Sequence, residues 1–155
     1  MKEVFLGLGG NIGAVTETLQ KAEALIRALP HTQQVRFSRL YRTSPVSDIL
    51  QNDYINCVCQ LFTPLEPKNL LRALQKIETQ LGKVKKEKNA PRILDIDILL
   101  FGDEVMSHEE LELPHPRWWD RLFVLIPLAE LMGTVEIEQR IQELQKISYD
   151  RVELL

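Results

Sequence analysis

Asp95 and Asp97 stand two residues apart in the apolar run Ile93–Leu100, between Arg92 and Gly102. Residues i and i+2 of a strand share a face. In a strand this spacing therefore aims both carboxylates at one place, with Ile93 and Leu99 beside them. Leu94, Ile96, Ile98 and Leu100 would face the other way, into a core. Carboxylates held that close repel, and their pKa values split unless a cation neutralises them. A hard divalent ion such as Mg²⁺ does this and keeps coordination positions for phosphate oxygens. Two such ions can grip an in-line displacement. The competing reading pairs both aspartates with Lys, Arg or solvent.

The stretch just upstream supplies positive charge: Lys83, Lys85, Lys86 and Lys88 lead to Arg92. Arg grips phosphate as a bidentate fork and Lys as a point charge. Taken singly, each lysine also fits a solvated loop. His115 lies between Pro114 and Pro116, with Arg117 and Arg121 close by, which makes it a phosphate-contact candidate. Glu78 interrupts the apolar side of a predicted helix beside Ile77, as a boundary residue or a site residue. Tyr54 and Asn56 open a predicted strand after a long loop. An Asn side chain can read a ring edge carrying both donor and acceptor, or simply cap the strand. Trp118 and Trp119 read as loop packing.

"GLGGNIG", residues 7–13, invites a dinucleotide reading that its spacing fails, because Ile12 stands where the third glycine belongs. A tight turn using positive φ at Gly or Asn is the better expectation. The chain also lacks the Gly-rich phosphate loop that ends in Lys-Ser or Lys-Thr.

The elements that must position these residues follow from periodicity. "KEVFLGL" reads as a strand. The helix after it places Leu19, Ala22, Leu25, Ile26 and Leu29 on one face and stops before Pro30. "QQVRFSRLYR" alternates as a strand, and "YINCVCQLF" is the next strand after a loop of about a dozen residues. Pro67 starts a second helix, with Leu70, Leu71, Leu74, Ile77 and Leu81 on one side and Gly82 as its stop. "RILDIDILLFG" is the fourth strand. A short hairpin near 104–113, a "PHPRWWDR" loop and a helix over 136–146 complete the chain, with the last residues frayed or extending an edge. The order βαββαβ suits an α+β, ferredoxin-like sheet with both helices on one face. The remaining third would cover the other face, giving a three-layer αβα sandwich.

Composition narrows the class. The 155 residues suit a single domain, 1–155, and the net charge of −3 offers no global basic field for a nucleic acid. No apolar run reaches the ~18 residues that would cross a membrane, and no early segment reads as a signal peptide. Cys57 and Cys59, two apart in one strand, would sit roughly 7 Å apart on one face. They are expected as reduced core residues, which points to the cytoplasm.

Together these residues resemble the 6-hydroxymethyl-7,8-dihydropterin pyrophosphokinase family of folate biosynthesis. The resemblance runs through "LGLGGNIG", "LYRTSPV", "DYINC", "IETQLGK", the signature "KNAPRILDIDIL" and "LPHPRWWDRLFVLIPL". It implies attack of the pterin hydroxymethyl oxygen on the β-phosphorus of ATP, pyrophosphoryl transfer and loss of AMP. It implies Arg92, Asp95 and Asp97 as the catalytic set, with Asp95 and Asp97 holding two Mg²⁺ and ATP as co-substrate. By the same resemblance Gln75, Glu78, Lys83, Lys85, Arg92, Ile98, His115 and Arg121 would meet ATP. Thr43, Pro45, Val46, Tyr54, Asn56 and Phe123 would form the pterin pocket. The expected partners are these two small molecules, with no nucleic acid and no membrane, acting on a monomer. The chain departs from the family at Lys83 and Lys85, where arginines are usual, at Asn89-Ala90, where Trp-Gly is frequent, and at Glu110, near a position commonly basic. Two other readings compete: a metal-dependent nucleotidyltransferase, which would want a third carboxylate on a neighbouring strand, and a non-catalytic ferredoxin-like binding module.

Overall fold

The computed structural model describes residues 1–45, 50–84 and 91–155. Its elements in chain order are β1 (Lys2–Gly10), α1 (Val15–Arg27), β2 (Gln33–Phe37), β3 (Tyr41–Thr43), β4 (Tyr54–Thr63), α2 (Pro67–Gln80) and β5 (Asp95–Phe101). A hairpin β6 (Met106–Ser107) and β7 (Glu112–Leu113), helices α3 (Leu122–Leu131) and α4 (Val135–Ile147), and strand β8 (Val152–Leu154) follow. The main sheet runs β5-β1-β4-β3-β8, with β2 also pairing β4, and every pairing is antiparallel.

Two cores sandwich this sheet. On one face Val4, Leu6, Leu8, Cys57, Cys59, Leu61, Ile96 and Ile98 pack against Leu19, Ala22 and Ile26 of α1 and Leu70, Leu74 and Ile77 of α2. On the other, Phe5, Val58 and Leu99 pack against Leu122, Leu125 and Leu128 of α3 and Ile137, Ile141 and Leu144 of α4. Because α3 lies between sheet and helix, its sequence is apolar almost all round. By contrast, α4 is amphipathic, capped by the Thr134 hydroxyl, which accepts from the Ile137 N–H, and carries Glu136 and Glu138 at its positive end. Both cysteines are unpaired and buried, and burial pushes the Cys57 thiol up to about 12. Among the described residues, no helix is long and apolar enough to cross a membrane.

Three local expectations change. The single strand expected over "QQVRFSRLYR" is two. At the break the Val58 N–H donates to the Ser38 hydroxyl (2.9 Å) instead of to a strand carbonyl, so a side chain interrupts the ladder. The turn expected at "GLGGNIG" is strand as far as Gly10, and only Gly13 of this stretch has positive φ. Finally, the register of β5 against β1 slips by one, with Leu6 opposite Ile98 but Phe5 opposite Leu100. Leu99 is the extra residue of this bulge. Leu100 consequently packs with Leu99 against the α3 side, not with Ile96 and Ile98.

Candidate active site

The sheet face that carries α3 and α4 is left open at one end, and the strand register explains the opening. Asp97 pairs with Gly7 and Asp95 with Gly9, and these glycines pair in turn with Val58 and Asn56 of β4. A bare strand thus runs between the carboxylates and Asn56. A Cβ on Gly9 would fall 2.0 Å from the Asn56 Oδ1, and one on Gly10 would fall 2.3 Å from the Ile93 carbonyl oxygen. These glycines serve close approach within a strand rather than a turn. The cleft above them has a volume of about 260 Å³, and its walls include Arg92, His115, Arg121 and Phe123.

Asn11, buried at the end of β1, ties the walls together. Its Nδ2 donates to the Gln51 Oε1 (2.8 Å) and the Asn52 carbonyl (2.9 Å), and its Oδ1 accepts from the Arg92 N–H (2.8 Å). The Arg92 carbonyl accepts in return from the Asn11 and Ile12 N–H groups. Every polar atom of this amide therefore helps hold the segment carrying Arg92 against the segment leading into β4.

The two carboxylates differ. Asp95 is gripped: Lys83 Nζ lies 2.7 Å from its Oδ1, and Arg92 Nε 3.9 Å from its Oδ2. The same ammonium lies 3.0 Å from Glu78 Oε2, which also accepts from the Ile96 N–H at 2.7 Å. Glu78 thus braces the start of β5 from α2. Burial holds its pKa above the usual carboxylate range, and the Ile96 and Lys83 hydrogen bonds pull it back only partly. Burial also works against the charge on Lys83, but Asp95 and Glu78 together raise its pKa. The turn after α2 delivers this lysine: Gly82 has φ +103°, and the Lys83 N–H donates back to the Glu78 carbonyl. Asp97 is solvent-exposed at the cleft, and desolvation of its carboxyl against the cleft walls is the first cause that raises its pKa. The Asp95 charge raises it further, against the opposing pull of Arg121, Lys83 and Arg92. Raised carboxylates beside cations mark a place where added positive charge is favourable.

Across the cleft, the "PHPRWWDR" segment is pinned to β5, with the His115 N–H donating to the Leu99 carbonyl at 2.9 Å. His115 Nδ1 accepts from the Arg117 N–H at 3.1 Å, so in the neutral ring the proton sits on Nε2, a donor. Burial, then Arg121 and Arg117, lower the His115 pKa and keep the ring neutral. The Arg121 guanidinium carbon lies 5.3 Å from the centroid of Phe123. Burial weakens its hold on the proton while Asp97 strengthens it. At the far end Asn56 Nδ2 donates to the Thr43 hydroxyl at 2.6 Å, both side chains being buried, and Tyr54 stands at the wall. Burial, with Asp95, raises the Tyr54 pKa and keeps it a neutral hydroxyl.

Nine of the residues expected from the sequence line this cleft: Thr43, Tyr54, Asn56, Arg92, Asp95, Asp97, His115, Arg121 and Phe123. Glu78 and Lys83 stand behind it, acting through Asp95. Gln75 is exposed on α2 with Arg72, Lys76, Thr79 and Gln80, and Ile98 is buried in the core on the opposite sheet face. Pro45 is partly buried and is not among the lining residues. Val46 and Lys85, like Asn89 and Ala90, lie outside the described residues. Glu110 pairs with Arg72 at 3.1 Å, away from the cleft. Sequence reasoning missed Gly7, Gly9, Asn11 and Gln51 as parts of the site. The glycine spacing carried a signal, since alternate glycines in a strand bare one face.

The model of the 7,8-dihydro-6-hydroxymethylpterin-pyrophosphokinase (HPPK) family matches residues 5–133. The Bacillus subtilis 2-amino-4-hydroxy-6-hydroxymethyldihydropteridine pyrophosphokinase is 40% identical over 134 residues, covering 86% of this chain and 80% of its own. The Haemophilus influenzae protein of the same name is 36% identical over 94% of this chain and 92% of its own. Among solved structures, Plasmodium falciparum HPPK-DHPS with SDX-DHP superposes with a TM-score of 0.70 at 17% identity. It covers 92% of this chain but only 43% of that longer chain, a likeness of fold. With a family model spanning most of its length and relatives this similar, the chain belongs to the 7,8-dihydro-6-hydroxymethylpterin-pyrophosphokinase family.

Proposed function

We propose that this chain transfers the pyrophosphoryl group of ATP to the hydroxymethyl oxygen of 6-hydroxymethyl-7,8-dihydropterin. The hydroxyl oxygen forms a bond to the β-phosphorus, the bond from that phosphorus to the α-β bridging oxygen breaks, AMP leaves, and the hydroxyl proton passes to solvent. The observation that carries this reading is the division of one cleft. Paired carboxylates flanked by Arg92, His115 and Arg121 line one part, and a buried amide–hydroxyl pair, Asn56 and Thr43, lines another, with Phe123 in the wall. The first part suits a polyphosphate and the second a flat heterocycle with a donor–acceptor edge.

Asp95 and Asp97 would hold two Mg²⁺. The donor set fits, because both carboxylates share a face and the Asp97 pKa is raised by its surroundings and by Asp95. Two protein carboxylates also leave most of an octahedral shell to water and phosphate oxygens. When bound, the metal supplies charge neutralisation and alignment for in-line transfer. Arg92 and Arg121 supply fixed positive charge where negative charge accumulates, and His115 offers its Nε2 N–H to a phosphate oxygen. Lys83 neutralises Asp95. Asn56 reads the pterin edge, and Phe123 supplies a ring face.

The strand order, with α1 and α2 on one face, supports a ferredoxin-like βαββαβ core within a single domain spanning 1–155. In this reading a monomer acts on the two small molecules in the cytoplasm, where Cys57 and Cys59 stay reduced. The test is to incubate the protein with Mg²⁺, ATP and the pterin and to follow nucleotide products. AMP formed one-for-one with pterin diphosphate is expected, and ADP formation refutes the reaction. Asp95→Ala or Asp97→Ala should lower turnover by roughly 10³-fold or more with the fold retained. Unchanged turnover removes the metal role.

A further inference from the structure

The last strand lies outside the stretch that the family model matches, yet it grips the base of the candidate pterin end. β8 pairs with β3, setting Val152 opposite Thr43, while the other edge of β3 pairs with β4, setting Thr43 opposite Tyr54. β3 is thereby an interior strand, and it carries the Thr43 hydroxyl that accepts from Asn56. One residue of the incoming chain, Arg151, then closes the connection from β3 to β4 from both ends. Its carbonyl accepts from the Ser44 N–H at 3.1 Å, and its N–H donates to the Ser44 hydroxyl at 3.1 Å. Its Nη2 donates to both carboxylate oxygens of Asp53, at 3.1 and 3.2 Å. Ser44 and Tyr54, the neighbour of Asp53, both line the cleft.

We propose that Arg151 is a positioning residue for pterin binding, a clasp that holds Ser44 to Asp53 and so sets the spacing of Thr43, Tyr54 and Asn56. This rests on the assignment of that end of the cleft to the pterin. The pair is half-exposed, and as a mere surface ion pair it would matter to neither ligand. As a clasp it bears first on the pterin end, since the carboxylates, His115 and Arg121 are held by contacts Arg151 does not touch, and Arg92 is linked to the clasped segment only through Asn11, which its own bonds to Gln51 and Asn52 hold in place.

The test compares Arg151→Met, Arg151→Lys, Asp53→Asn and the Arg151→Met/Asp53→Asn double variant in the full chain. Dissociation constants for the pterin and for MgATP are measured separately. Arg151→Met should weaken pterin binding about fivefold and leave MgATP within twofold. Arg151→Lys should recover part of the loss, and the double variant should be no worse than the single one. Amide exchange gives a ligand-free readout at the end the side chain grips, with the Asp53 and Tyr54 N–H groups exchanging faster in Arg151→Met while α1 and α2 are unchanged and the Ser44 N–H, held by the Arg151 backbone, changes less. Unchanged exchange at Asp53 and Tyr54 overturns the clasp. Faster exchange with pterin binding unchanged, or with both ligands weakened equally, overturns its positioning role. If the wild-type chain binds no pterin, the assignment of that end falls, while the exchange result still decides the clasp.

Discussion

Gly9→Ala tests whether bare strand backbone makes the pterin end. The added methyl would lie 2.0 Å from Asn56 Oδ1 and 3.0 Å from its Cγ, with the Ile55 carbonyl at 3.3 Å. Backbone cannot yield easily in the middle of a sheet, so the Asn56 side chain must rotate. Rotation breaks the 2.6 Å bond to Thr43 and turns away the edge proposed to meet the pterin. Leaving a buried polar group without its partner costs about 1–3 kcal/mol. The same loss at the ligand corresponds to roughly 5- to 150-fold in pterin affinity. For a chain of this size it also predicts a melting temperature lower by about 2–12 °C. Gly7→Ala is the control for stability, because its methyl meets only Leu99 side-chain atoms at 3.4–3.6 Å. The assay is calorimetric titration with pterin and, separately, with MgATP, alongside thermal melts of both variants. Loss of pterin affinity with MgATP affinity retained is expected for Gly9→Ala. Unchanged pterin affinity, or equal destabilisation by Gly7→Ala, refutes the reasoning.

Two further outcomes follow from the charged groups. The folded-state pKa of Asp97 is raised above its ordinary 3.8, so the native state binds more protons and stability is lost as pH rises through that window. Asp97→Asn should therefore melt higher than wild type at neutral pH in chelator and equally at pH values below 3.8, and a lower neutral melting temperature contradicts this. The His115 pKa is depressed from its ordinary 6.5, so stability is lost as pH falls below that value. His115→Asn keeps an acceptor near the Nδ1 position for the Arg117 N–H but deletes the Nε2 donor. It should remove that acid-side slope in melts and lower turnover roughly 10²-fold in a steady-state assay; retention of both overturns the assigned role.

Much of the site was legible without coordinates because its chemistry is local. Two carboxylates at i and i+2 share a face in any strand, and Pro114-His115-Pro116 confines a histidine wherever the chain runs. The alternation of β5 as far as Ile98 and the apolar stripes of α1 and α2 likewise announced their buried faces, since burial of such a stripe is what keeps each element in place. Where two outcomes have equal local cost, the sequence could not choose between them. Glycines serve turns and close approach alike, and only the register of β1 between Asp95, Asp97 and Asn56 shows that Gly7 and Gly9 bare the cleft floor. The bulge at Leu99 is invisible to a period-two count, because it exists only relative to β1. Whether Lys83 meets solvent, phosphate or carboxylate depends on where Gly82 turns the chain relative to Glu78 and Asp95. The grip of Arg151 on Ser44 and Asp53 joins residues about a hundred positions apart. Residue types and short spacings thus determined the chemistry available to this chain. Only tertiary pairing decided which groups meet, because a contact between distant segments has no local signature.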